Sequence, residues 1–195
     1  MILVLIDSYS ETNVSTSYNH TTTGRHTVQT FQLPAGTDYY LTSAKFYLKY
    51  TTGNSFNYAF VLFATDGGTL GDTMRPTGSA LETTSSAAGS TLSTSYQLIE
   101  LNFAGTTVLY GGTAYAIGVK LTSYTSGTMN VGIKGSGGTH AGRCCYSSNG
   151  TSWGAYGTED MAFYVYGTEV SAAGSVIKTI PTALISSTTG VKDTQ

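Results

Sequence analysis

The chain has 195 residues, a formal net charge of -2 and only 10% charged residues, against about 25% in an ordinary soluble domain. Its 34 Thr, 22 Ser, 24 Gly and 15 Tyr dominate the composition. So few Lys and Arg exclude a strong phosphate-binding footprint, and 40% apolar content with 12% aromatics excludes general disorder.

The chain opens on the apolar run Met1–Ile6, which Asp7 ends. That is far short of the roughly 20 residues of a membrane helix, and it lacks the basic flank of a signal peptide. It reads as a buried first strand of a protein made in a cytoplasm without a cleaved leader. His20 and His26 follow in a Thr-rich polar stretch, six apart. This is no recognised metal-ligand spacing, and both read as exposed loop residues.

From there the dominant period is two. In Ala44–Tyr50, Phe46, Leu48 and Tyr50 share one face while Lys45 and Lys49 share the other. Ile99, Leu101 and Phe103 alternate with Glu100 and Asn102, and Tyr115, Ile117, Val119 and Leu121 alternate with Ala116, Gly118 and Lys120. These are half-buried antiparallel strands. Tyr58–Ala64 and Met161–Tyr166 are apolar on both faces and suit central strands. Thr51–Asn54, Asp66–Gly68, Gly105–Thr107, Ser123–Gly127, Gly135–Gly138 and Ser147–Gly150 read as turns. Their spacing of about ten residues is that of a sandwich or barrel.

The expected fold is therefore all-β: a two-sheet antiparallel sandwich of the jelly-roll type, with about eight to ten strands, over residues 1–167. Residues 168–195 read as a C-terminal arm that packs on its own body or on a neighbouring subunit. Its apolar residues Val176, Ile177, Ile180, Leu184 and Ile185 would carry that contact. The only two cysteines, Cys144 and Cys145, are adjacent. Strand alternation predicts one buried thiol and one outward thiol, with no disulfide framework.

No nucleophile elbow, P-loop, zinc-protease helix or Cys-x-x-Cys occurs, so no enzyme activity and no cofactor are expected. Asp7, Glu11 and Asp160 flank the first and last core strands and offer a candidate oxygen site for a structural Ca²⁺. Trp153, Tyr146 and Tyr156 sit at or beside turns next to Asn and Gly. They offer a candidate stacking platform for sugars, or a partly buried hairpin anchor in the case of Trp153.

Several segments also resemble a known module. They are Leu5–Asn13, Leu41–Leu48, Pro76–Leu81, Gly112–Ile117, Ser152–Trp153 and Asp160–Gly167. Together they are similar to a jelly-roll-type β-sandwich found in structural proteins of phages and environmental viruses, and in bacterial surface proteins beside carbohydrate-binding modules. The resemblance implies the fold and transfers no site residue. It suggests a virion structural protein, such as a capsid decoration, fibre or tail component, working outside the cell. Its partners would be copies of itself, other virion proteins and host-surface glycans, with no nucleic acid and no membrane insertion. The alternative it suggests is a carbohydrate-binding module or adhesin.

Overall fold

Short segments of alternating polarity, punctuated by Gly, Asn and Thr, fold as antiparallel strands. The computed structural model describes residues 2–171 and contains thirteen of them. They are β1 (Leu3–Tyr9), β2 (Thr16–His20), β3 (His26–Gln32), β4 (Tyr39–Thr65), β5 (Pro76–Thr83), β6 (Ala87–Ala88), β7 (Gln97–Asn102), β8 (Val108–Leu109), β9 (Ala114–Lys134), β10 (Cys144–Ser147), β11 (Gly154–Ala155), β12 (Asp160–Met161) and β13 (Phe163–Glu169). The number exceeds the expected eight to ten because β6, β8 and β11 are two-residue pairings in segments that connect the longer strands, and β12 is a two-residue pairing at the start of the Met161–Tyr166 segment.

Two layers form because β4 and β9 serve both sheets. The first half of β4 lies between β13 and β7, and β1 completes that sheet beyond β13. The second half of β4 pairs with β5 and β6 on one side and with the first half of β9 on the other. The second sheet then continues through β3 and β10 to β11. The end of β9 returns to the first sheet, where it pairs with β2 and β12.

Thr51–Asn54 and Ser123–Gly127, expected as turns between separate strands, are instead the two sides of one corner. The β4–β9 register breaks between Tyr50 and Asn54, and Gly53 and Gly127 adopt φ +62° and +111° there. A Cβ on Gly127 would stand 2.5 Å from the Gly53 carbonyl oxygen. The turn signals thus mark a bend that the ribbon passes through without ending.

Between the sheets lies the main core, including Phe31, Phe46, Leu48, Phe60, Leu62, Ile117, Val131 and Phe163. Phe46 meets Phe60 edge to face, with centroids 4.6 Å apart. Each such burial contributes about 1.5–3 kcal/mol before entropy costs. A second, smaller core covers the other face of the second sheet. It comprises Val28, Val61, Phe63, Ala116 and Cys145, with Ala80, Trp153 and Ala155 packed against it. This is why Tyr58–Ala64 is apolar on both faces.

The second core also corrects the cysteine expectation. Cys144 and Cys145 do point to opposite faces, but both faces are covered and both thiols are buried and free. The histidine expectation fails as well. His20 and His26 are strand residues and buried, because β2 and β3 extend into the polar Thr-rich stretch. β13 runs to Glu169, and the Val170 N–H bonds to the Asp38 carbonyl, so the sheet continues past the expected boundary at residue 167.

Candidate functional site

β1 hydrogen-bonds to β13 along one side only, from Leu3 opposite Thr168 to Tyr9 opposite Phe163, with a bulge between Leu5 and Asp7. Among the described residues no strand pairs with its other side. The first strand and the last strand are thus neighbours. Ile6 turns toward the main core, whereas Leu3 and Leu5 turn outward with 55% and 47% of their surface exposed, and Ile2 with 83%. Sheet edges are ordinarily protected by Lys, Pro or a covering segment. β1 has neither Lys nor Pro, and Asp7 is its single charged residue. Where β1 meets the end of β13, a pocket of about 250 Å³ is lined by Ile2, Val4, Glu169 and Ser171.

Asp7 is turned away from that apolar row into a polar clasp. Its Oδ1 accepts the Ser8 N–H at 2.8 Å, and its Oδ2 stands 3.1 Å from His140 Nε2. The Gly142 N–H donates to His140 Nδ1 at 2.9 Å, so the ring proton sits on Nε2 and is given to Asp7. The Gln29 amide donates to Asp160 Oδ1 at 3.0 Å, and its oxygen accepts the Met161 N–H at 2.9 Å. The His140 backbone N–H donates to Asp160 Oδ2 at 2.9 Å. Burial raises the Asp160 carboxyl above the ordinary carboxylate range, and the His140 N–H and Gln29 amide partly offset this. The clasp ties β1, β3, β12 and the loop before β10 into one body.

Each of the three carboxylates considered for calcium has a hydrogen-bond partner within the fold. Asp7 and Asp160 are taken up by His140 and Gln29. Glu11 lies in a 3-10 turn after β1 and accepts a hydrogen bond from the Tyr164 phenol. Among the described residues no group of three or more His, Cys, Asp or Glu is placed to hold a metal.

The sugar platform is split as well. Trp153 packs edge-on against His26 and Phe63, at 5.6 and 5.1 Å, over the second core. Its indole N–H is buried with no partner among the described residues. Tyr146 lies on the opposite face of β10 from Cys145 and stacks on Tyr156 at 4.0 Å, while Tyr156 stacks on Tyr18 at 3.8 Å. The Tyr18 phenol donates to the Glu159 carboxylate, and burial pushes the Tyr156 phenol up to about 12. Tyr146 and Tyr156 therefore spend ring faces on the stack. Trp153 behaves as the hairpin anchor. Val176, Ile177, Ile180, Leu184 and Ile185 lie outside the described residues.

The groups that usually carry acid–base or nucleophilic chemistry are committed elsewhere. Burial lowers His20 to about 3, its Nε2 standing 2.8 Å from the Thr27 hydroxyl. Burial also lowers His26, whose Nδ1 bonds to the Gly24 carbonyl. Burial raises Cys144 well above an ordinary thiol and Cys145 to about 11, so neither is a thiolate near neutral pH. Sequence reasoning missed Tyr18, Gln29 and His140. Tyr18 carried a visible signal, a lone large aromatic in the short Thr16–His20 segment. Gln29 and His140 carried none, since the contacts that join them to each other, to Asp160 Oδ1 and to Asp7 span more than 100 residues of chain.

Compared with known proteins, the chain matches no family model and no curated protein.

Proposed function

We propose that this protein is a non-enzymatic structural component that assembles with copies of itself through the open edge of β1. In line with the jelly-roll resemblance, it would serve as a capsid decoration, fibre or tail protein of a virus particle. The observation that carries this reading is the combination of a strand edge that no described residue pairs with, exposed Ile2, Leu3 and Leu5, and no Lys or Pro in β1 to discourage pairing. Antiparallel pairing of two β1 strands about a two-fold axis would join two sandwiches into one continuous sheet and close the assembly. The committed histidines and thiols support a role without catalysis.

Size-exclusion chromatography with light scattering on the full chain tests this. A discrete oligomer is expected, and Leu3→Lys with Leu5→Lys should convert it to a folded monomer. A monomeric parent chain at submillimolar concentration would refute the proposal. A chain ending at Ser171 separates the contributions. If it still assembles, the edge is sufficient and the arm residues Val176 to Ile185 are not required.

A further inference from the structure

The turn between β10 and β11 carries chemistry that neither assembly nor the core uses. Of the asparagines in the chain, only Asn149 is followed by glycine. Glycine has no side chain to shield its backbone nitrogen, which can therefore reach the amide carbon of the preceding side chain. Gly150 is fixed by the fold. Its φ is +77°, and a Cβ there would stand 2.9 Å from the His26 ring. The labile pair thus cannot be removed by placing a larger residue after Asn149. Asn149 itself is exposed to water, whereas Ser147 is buried. The Ser147 hydroxyl oxygen accepts the Gly150 N–H at 2.8 Å and the Asn149 N–H at 3.2 Å, and the hydroxyl donates to Asn149 Oδ1 at 3.0 Å. Asn149 Oδ1 also accepts the backbone N–H groups of Thr151 and Ser152, at 2.9 and 3.0 Å.

We propose that Asn149 is a latent deamidation site and that the Ser147 hydroxyl is the latch that keeps it closed. In the reaction the Gly150 nitrogen gives up its proton and bonds to Asn149 Cγ. The Cγ–Nδ2 bond breaks, and ammonia leaves carrying that proton. Water then opens the cyclic imide at either carbonyl, which yields aspartate or isoaspartate. Two features of the turn oppose the first bond. The Gly150 N–H is engaged by Ser147 Oγ, and an N–H that donates a hydrogen bond holds its proton more firmly than a free one. Asn149 Oδ1 is held by three donors, so turning Cγ toward the Gly150 nitrogen breaks bonds already made in the fold. Once the nucleophile is free, the same turn favours reaction. The Thr151 and Ser152 N–H groups point at the oxygen on which negative charge develops, as oxyanion-hole donors do. Loss of the Ser147 hydroxyl therefore releases the attacking nitrogen and leaves the amide carbon polarised.

The full chain and a synthetic peptide of residues 146–154 are incubated at mildly alkaline pH, and peptide mapping by mass spectrometry follows the conversion of Asn149 to aspartate and isoaspartate. The folded chain should convert at least about tenfold more slowly than the peptide, the kinetic equivalent of one or two hydrogen bonds. Ser147→Ala should recover most of that factor. Ser148→Ala, at an exposed neighbour that makes none of these side-chain bonds, should keep the parent rate. Should Ser147→Ala fold poorly, Ser147→Cys replaces it, since a thiol fills the same space and is a weaker hydrogen-bond partner. Equal rates in the folded chain and the peptide would overturn the proposal. So would a folded Ser147 variant that converts as slowly as the parent.

Discussion

His20 is fully buried and neutral, and this makes it a determinant of acid stability. Its pKa in the fold is about 3, against 6.5 for the free side chain. As pH falls through 6.5 the unfolded chain takes up a proton that the native state refuses until about pH 3. Stability from His20 is therefore complete above pH 6.5 and is lost progressively below it, on the order of 3 kcal/mol by pH 4. His26 acts in the same direction. Asp160 opposes them, because its raised pKa lets the native state bind a proton before the unfolded chain does. Thermal melts between pH 7 and pH 4 should show a falling midpoint. His20→Gln should flatten that slope, and an unchanged slope would remove His20 as its cause. None of this was legible in the sequence. A His among Thr residues looks solvated, and only the pairing of β2 with β9 and of β3 with both β9 and β10 covers it.

At the level of elements, strand identity was legible and strand continuity was not. Alternation correctly sorted Phe46, Leu48, Ile117 and Val119 from Lys45, Lys49 and Lys120. The clusters Thr51–Asn54 and Ser123–Gly127 were indistinguishable from hairpin loops, because a sheet corner and a loop both require residues that tolerate positive φ. Only the register shows that they face each other. Gly127→Ala would place a methyl against the Gly53 carbonyl at φ +111° and should destabilise the fold by about 1–3 kcal/mol. Gly157, where a Cβ meets nothing within 4 Å, is the control, and its Ala variant should lie within about 0.5 kcal/mol of the parent. Urea titrations of both variants measure the difference. Equal midpoints would mean that the corner relaxes freely. The candidate sites divide in the same way. Leu3 and Leu5 belong to a strand the sequence announced, but their exposure follows from β1 being an edge. Asn149–Gly150 is legible as a turn, and only the fold shows the Gly150 N–H bonded to the Ser147 hydroxyl.

For the whole molecule, sharing β4 and β9 between the layers means that neither sheet can open alone. Each half of these strands carries one sheet, and the main core contacts both. Unfolding should therefore be a single cooperative transition, with tyrosine fluorescence, far-ultraviolet dichroism and calorimetry giving coincident curves. Separate transitions would show that the corner acts as a hinge. The low charge evident from composition is placed by the fold: uncharged Thr, Ser and Tyr fill outward strand positions, and the apolar edge of β1 stands among them. The antiparallel pairing of β1 with β13 has a mechanical consequence. Leu3 lies opposite Thr168, so the two ends of the described chain leave from the same corner of the sandwich. Tension applied between them runs along the rungs of that ladder and parts them one after another, as a zip opens. A load entering through the body and leaving through one end must shear many rungs at once. The described body is therefore weakest when its two ends are pulled apart, and anchoring by one end only would keep it intact under force.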